Sequence, residues 1–151
     1  MIHGVKVKKL NLYKDERGRL MEILRSDDEI FTAFGQAYIA TAYPGWVKAW
    51  HLHKVQTDNF TCIKGVMRLV LFDDRDGSPT KGELQEFVIS LETPILVSIP
   101  PGVYHGFEPL GEEAIAVNIP DKTYNREHPD EYRIPFNSEK VPFRWNGARG
   151  G

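Results

Sequence analysis

Two histidines and a carboxylate stand close together in the sequence, and a third histidine follows in a later motif. His51 and His53 are separated by one residue, and Asp58 follows five residues after His53. His105 closes the run Pro100-Pro101-Gly102-Val103-Tyr104-His105. On a strand, residues two apart point to the same face, so His51 and His53 share one surface. Imidazole titrates near neutrality and can take a proton from carbon or return it. The same residue types are also a donor set for a divalent metal. His51, His53, Asp58 and His105 could hold such an ion, which would polarise a carbonyl. A plainer role for Asp58 is a hydrogen bond to a neighbouring histidine. The motif residues therefore leave two chemistries open, proton transfer and metal-assisted catalysis.

The elements that must carry these residues read as strands. Turn signals are frequent and the apolar runs between them are short, which favours an all-β barrel or sandwich. Strands are expected at Val5–Leu12, Arg19–Arg25 and Gln36–Ala42. The next is Trp46–His53, in which Trp50 faces away from His51 unless a bulge intervenes. Phe60–Ile63 and Val66–Phe72 read as a hairpin with its turn near Gly65. Leu84–Leu91, Ile95–Ile99 and Ala114–Ile119 complete the set, with a tight turn at Pro100-Pro101-Gly102. One domain is expected over residues 1–151, with a core at about 4–119 and an irregular strap at about 120–145. Tyr124, Tyr132, Phe136, Phe143 and Trp145 are the expected strap anchors. A helical turn is expected around His128–Tyr132, and fraying at Asn146–Gly151.

Bulk properties narrow the classes. The chain has 151 residues, 41% hydrophobic and 26% charged, with a net charge of −2. No broad basic surface offers itself to nucleic acid. A few arginines or lysines would still suffice for a phosphorylated small molecule. Cys62 is the one cysteine and sits in an apolar strand, so a buried hydrophobe is the expected role. No apolar run is long enough for a signal peptide or a membrane span, and a cytoplasmic location is expected.

The spacing G-x5-H-x-H-x4-D-x6-G from Gly45 to Gly65, followed by P-x-G-x2-H ending at His105, resembles the two motifs of the cupin superfamily. Asp58 takes the place of the usual Glu, and Pro109 that of a final Asn. A closer resemblance runs along almost the whole chain, to the dTDP-4-dehydrorhamnose 3,5-epimerase family. Asp15-Glu16-Arg17-Gly18-Arg19-Leu20-Met21-Glu22 resembles the family's D-x-R-G-x-x-x-E opening. Asp73 to Gly82 resembles its D-x-R-x-x-S-P-T-x-G loop, and Ile99 to Phe107 its I-P-x-G-x-x-H-G-F segment. Gln36, Tyr124 and Trp145 fall on further family positions.

The resemblance implies a cupin fold (a double-stranded β-helix, or jelly-roll barrel), a homodimer and a nucleotide-diphospho-4-keto-6-deoxy sugar as ligand. It implies epimerisation or isomerisation by acid–base proton transfer beside a ketone, without a cofactor. His53 would be the base and Tyr124 the acid, with His105 and Asp73 as a supporting pair. Arg17, Gln36, His51 and Arg75 would contact substrate. Arg19, Lys48 and Arg68 read as solvated charges. The sequence departs from the family pattern at Trp50, where the family has Arg, at Asp58, where it has Lys, and at Tyr38, where it has Asn. The family's aspartate beyond Trp145 has no counterpart. A metal-dependent cupin enzyme and a non-catalytic sugar-binding cupin are the alternative functions.

Overall fold

Short runs of β-branched and aromatic residues between glycines and prolines give strands throughout, and no helix forms. The computed structural model describes residues 1–151. The strands are β1 (Lys6–Lys9), β2 (Leu12–Asp15), β3 (Gly18–Met21), β4 (Tyr38–Ala42), β5 (Trp46–Leu52), β6 (Asp58–Lys64) and β7 (Met67–Asp73). They continue as β8 (Leu84–Ile89), β9 (Ile95–Ile99), β10 (Val103–Pro109), β11 (Ala114–Asn118), β12 (Tyr132–Arg133) and β13 (Arg149–Gly150). One sheet has the order β1-β9-β6-β11-β4, and the other β12-β5-β10-β7-β8 with β13 beside β5. β2 and β3 form a separate hairpin.

The two sheets face each other as a jelly roll and do not close into a barrel. Their inner faces interdigitate, as in other sheet-on-sheet packings. Phe60, Cys62, Val97 and Ala116 from one sheet meet Met67, Leu69, Leu71 and Phe107 from the other in one core cluster. Each fully buried aliphatic side chain here contributes roughly 1.5–3 kcal/mol. Cys62 is buried among them, as its apolar strand suggests.

Several expectations fail for identifiable reasons. β6 and β7 are not a hairpin, because both edges of β6 are already taken by β9 and β11. Gly65 adopts a φ of +71°, and a Cβ there would lie 2.3 Å from the Glu113 carbonyl oxygen. Only glycine fits this crossing from one sheet to the other. The motif ending in His105 continues as β10, a central strand between β5 and β7. No helical turn forms at His128–Tyr132, because Tyr132 and Arg133 pair with Leu52 and His51 as an added strand. The end is not frayed, since Arg149 and Gly150 pair in parallel with Trp46 and Val47.

The segment after β11 wraps the outer face of the β5-containing sheet. Ile134, Phe136, Val141, Phe143 and Trp145 pack there against Val47, Ala49, Trp50, Val70 and Phe72. Tyr124 and Tyr132 do not anchor it, as both are exposed. The anchor is Trp50, fully buried, whose ring lies 4.9 Å from Trp145 and whose Nε1 donates to the Phe136 carbonyl at 3.2 Å.

Candidate active site

A bulge in β5 sets the site. His105 pairs with His51 and Phe107 with Lys48, so β5 carries one more residue than β10 over this step. The extra residue lets Ala49 and Trp50 both turn to the outer face, while Lys48 and His51 both line an inner cavity. Gly106 permits the approach, for a Cβ on it would lie 2.3 Å from the Ala49 Cβ. The cavity holds about 310 Å³ and is walled by His51 from β5, His53 just past its end, His105 from β10, and Asp58 and Phe60 from β6. A second cavity of about 500 Å³ shares Tyr38, His53 and Glu131 with the first.

Asp58 is the centre of the polar network and is 1% exposed. Its Oδ2 lies 3.1 Å from His53 Nε2 and 3.2 Å from His105 Nε2. Gln56 Nε2 donates to Oδ1 at 2.7 Å. The other ring nitrogens are also engaged. His53 Nδ1 donates to the Asp130 carbonyl, and His105 Nδ1 donates to the Val103 carbonyl at 3.1 Å. A carbonyl can only accept, so the proton on each Nδ1 is fixed.

The charges follow from this arrangement. Burial works against ionised Asp58, but the imidazoles of His105 and His53 outweigh it and hold the carboxyl well below the usual carboxylate range. Burial disfavours the imidazolium of His53, yet Asp58, with help from Asp130, holds its pKa up at about 9. Burial, His105 and Arg133 push His51 down to about 4 against the pull of Glu131. Burial and the charge on Asp58 raise the Tyr38 phenol to about 12. Near neutrality the site therefore holds a charged His53, a neutral His51 and an ionised Asp58.

The strap completes the wall. Its strand β12 runs beside β5 with Arg133 opposite His51. Glu131 Oε1 lies 3.5 Å from His51 Nδ1 and accepts from Arg133 Nε and Nη2 at 3.1 and 2.6 Å. The Asp130 carboxylate accepts from the backbone amides of Lys54, Val55 and Gln56 at 2.8, 3.0 and 2.9 Å. These bonds fix the loop between β5 and β6, and with it the meeting of His53 and Asp58.

The dTDP-4-dehydrorhamnose 3,5-epimerase family model matches residues 1–149. The chain belongs to this epimerase family. It is 42% identical over 147 residues to the spore coat polysaccharide biosynthesis protein SpsL of Bacillus subtilis, covering 97% of each chain. It is also 42% identical over 153 residues to the probable low-salt glycan biosynthesis epimerase of Haloferax volcanii, covering 99% of this chain and 98% of that one. The crystal structure of a dTDP sugar isomerase from Desulfovibrio desulfuricans G20 superposes with a TM-score of 0.91 at 32% identity, covering 97% of this chain and 94% of that one.

Within this epimerase frame the structure brings His51, His53, Asp58 and His105 together in the first cavity. Gln36 and Tyr124 line the second cavity with His53. The expected pair of His105 with Asp73 does not form. Asp73 is fully buried at the end of β7, where its oxygens accept from Arg75, Ser78 and Thr80. It clamps its own loop, and His105 has Asp58 instead. Arg75 is spent on Asp73 and the His3 carbonyl. Arg17 sits at the tip of the β2–β3 hairpin, paired with Asp15 and outside both cavities. Arg68 is no solvated charge, since it binds buried Glu108.

Four residues of this epimerase site were not singled out as site residues by sequence reasoning. Tyr38 stood out only as a departure from the family. Lys48 and His51 are three apart, a spacing that alternation assigns to opposite faces. Glu131, just before β12, and Arg133, within it, lie in a segment without periodicity, and only their spacing of two hints that they share a side. His53, Asp58 and His105 each offer a ligand atom, all within 4.8 Å of one another, so the donor set fits a divalent ion.

Proposed function

We propose that the chain is an enzyme, an epimerase or isomerase that moves a proton on the carbon beside the ketone of a nucleotide-diphospho-4-keto-6-deoxy sugar. One observation carries this reading. In a member of the epimerase family, imidazoles and phenols face one pair of joined cavities. A ketone acidifies the neighbouring C–H bond, and a base removes that proton. Positive charge beside the oxygen then stabilises the enolate. The charged His53, pinned between Asp58 and the Asp130 carbonyl, supplies that charge where the resembling family has lysine. Tyr124 returns a proton to the carbon, and Gln36 holds a sugar hydroxyl. Lys48 and Arg133, on the wall of the first cavity, offer positive charge to the diphosphate. The names of the two curated relatives, both of polysaccharide or glycan biosynthesis, support a sugar-nucleotide substrate. With it go a cytoplasmic location and a homodimeric assembly.

The decisive experiment incubates the protein with a dTDP-linked 4-keto-6-deoxyhexose in deuterated water and follows proton loss by NMR. Wash-in of deuterium beside the ketone is the expected result, and its absence sinks the reading.

The donor set at His53, Asp58 and His105 favours a second reading, a metal-assisted form of the same chemistry. A divalent ion held there would polarise the ketone oxygen. Elemental analysis of the purified protein distinguishes the two. Stoichiometric metal that disappears in Asp58→Asn selects the second.

A further inference from the structure

We propose that Tyr38 is a catalytic residue of this chain: its phenol O–H donates a hydrogen bond to the ketone oxygen and holds that oxygen as it gains charge in the enolate. The inference rests on the proton-transfer reading above and deepens it.

The direction of that O–H is fixed from behind. The backbone N–H of Asn59 donates to Asn118 Oδ1 at 2.9 Å. A backbone N–H can only donate, so the oxygen end of the Asn118 side chain faces Asn59 and its NH₂ end faces away. That NH₂ lies 2.8 Å from the Tyr38 hydroxyl oxygen. An amide NH₂ has no lone pair to offer, so the phenol oxygen accepts. The phenol's own proton is left over, because Asn118 is the one hydrogen-bond partner that the hydroxyl has in the protein. Tyr38 therefore enters the site as a donor.

The anchor behind it is firm. Asn118 is fully buried on β11, directly between Tyr38 of β4 and Phe60 of β6. Asn59 also donates through Nδ2 to the Ile119 carbonyl at 2.9 Å, so the link is tied to the main chain at two points. A donor held in this way needs no reorganisation when charge develops in front of it.

Its place suits the ketone. Tyr38, His53 and Glu131 line both cavities, so they stand where the two join. The imidazoles wall the first cavity, and Tyr124 faces the second. A sugar ring that loses a proton on one side and regains it on the other lies at that junction. Its ketone oxygen is a pure acceptor and matches a hydroxyl that has only its proton to give.

The step balances. As the base takes the proton, the C–H bonding pair becomes the C=C bond of the enolate, and the carbonyl π pair moves to oxygen. Tyr38 keeps its proton throughout, and its hydrogen bond strengthens with the charge on its acceptor. Return of a proton to carbon restores the ketone, with no oxidant or reductant consumed.

The test uses the full chain, a dTDP-linked 4-keto-6-deoxyhexose and deuterated water. Tyr38→Phe keeps the ring and removes the donor. It should lower kcat for exchange by about 10²–10³-fold, with KM and the calorimetric affinity for dTDP held. Asn118→Asp should also lower kcat with Tyr38 intact, because a carboxylate can only accept and draws the phenol proton away from the cavity. Exchange by folded Tyr38→Phe within tenfold of wild type overturns the proposal. So does a loss of dTDP affinity as large as the loss of exchange, which assigns Tyr38 to the shape of the pocket. If Tyr38→Phe does not fold, an unchanged kcat in Asn118→Asp overturns the proposal alone. Failure of the wild type to exchange is a different result and removes the epimerase reading itself.

Discussion

Asp58 Oδ2 lies 3.1 Å from His53 Nε2, joining a carboxylate on β6 to an imidazole just past the end of β5 in the facing sheet. The pair is buried and charged, and a second imidazole, His105, leans on the same oxygen at 3.2 Å. An acidic residue in place of the resembling family's lysine does not leave the pocket negative. It holds one histidine, His53, as a cation in the wall of the site.

Removing that charge while keeping the shape should be costly. Asp58→Asn leaves His53 without its counter-ion in a buried setting, and breaking such a pair costs about 3 kcal/mol or more. Urea denaturation at neutral pH should show the loss as a lower midpoint with an unchanged slope.

The same pair sets a pH dependence of stability. His53 is held at about 9 in the folded chain, against about 6.5 when unfolded. The folded state therefore binds the proton more tightly, so the stabilisation is complete below about 6.5 and is lost as pH rises through about 9. Denaturation midpoints measured across this window should fall, and His53→Gln should flatten that part of the curve.

Tyr124 faces the larger cavity with His53 and Gln36, and it is 54% exposed. Its replacement should not disturb folding. Tyr124→Phe should separate two halves of the reaction. Deuterium should still enter beside the ketone from the base side, while formation of the inverted sugar falls by about 10²-fold or more. Following exchange and product stereochemistry in the same NMR series reads both.

Asp73 lines neither cavity despite its place in a matched motif. Its carboxylate serves Arg75, Ser78 and Thr80 in the loop between β7 and β8. Asp73→Ala should therefore cost about 3 kcal/mol of stability, the scale of charged hydrogen bonds lost from a buried site. The kcat per folded molecule should stay at the wild-type value, and a thermal melt beside an activity assay separates the two.

Much of this was legible in the sequence, and the failures have physical causes. The spacing of His51 and His53 placed both on one wall, because β5 is extended beyond its bulge. His105 was found from Pro100 and Gly102, which enforce the turn before β10. The hairpin expected at Gly65 failed because local turn chemistry does not say which strands already occupy an edge. The partner of His105 was misassigned because Asp58 approaches from the facing sheet, a contact that no spacing along one strand encodes. Lys48 was read as a surface charge because the bulge that turns it inward depends on Ala49 lying over Gly106. Glu131 and Arg133 were missed because β12 owes its existence to the exposed edge of β5, not to any apolar alternation of its own.

The strap has a consequence for how this molecule loses function. It adds only two short strands, β12 and β13, beside β5, and its hold on the outer sheet face depends on a cluster around Trp50, Phe143 and Trp145. The facing sheets have a separate core, built without it. Such a peripheral unit opens at lower free energy than the sandwich beneath. When it lifts, Glu131, Arg133 and Asp130 leave together, and the loop that brings His53 to Asp58 loses the carboxylate that fixes it. The strap should therefore melt before the sandwich, taking with it the groups that hold His51 and His53 in their places.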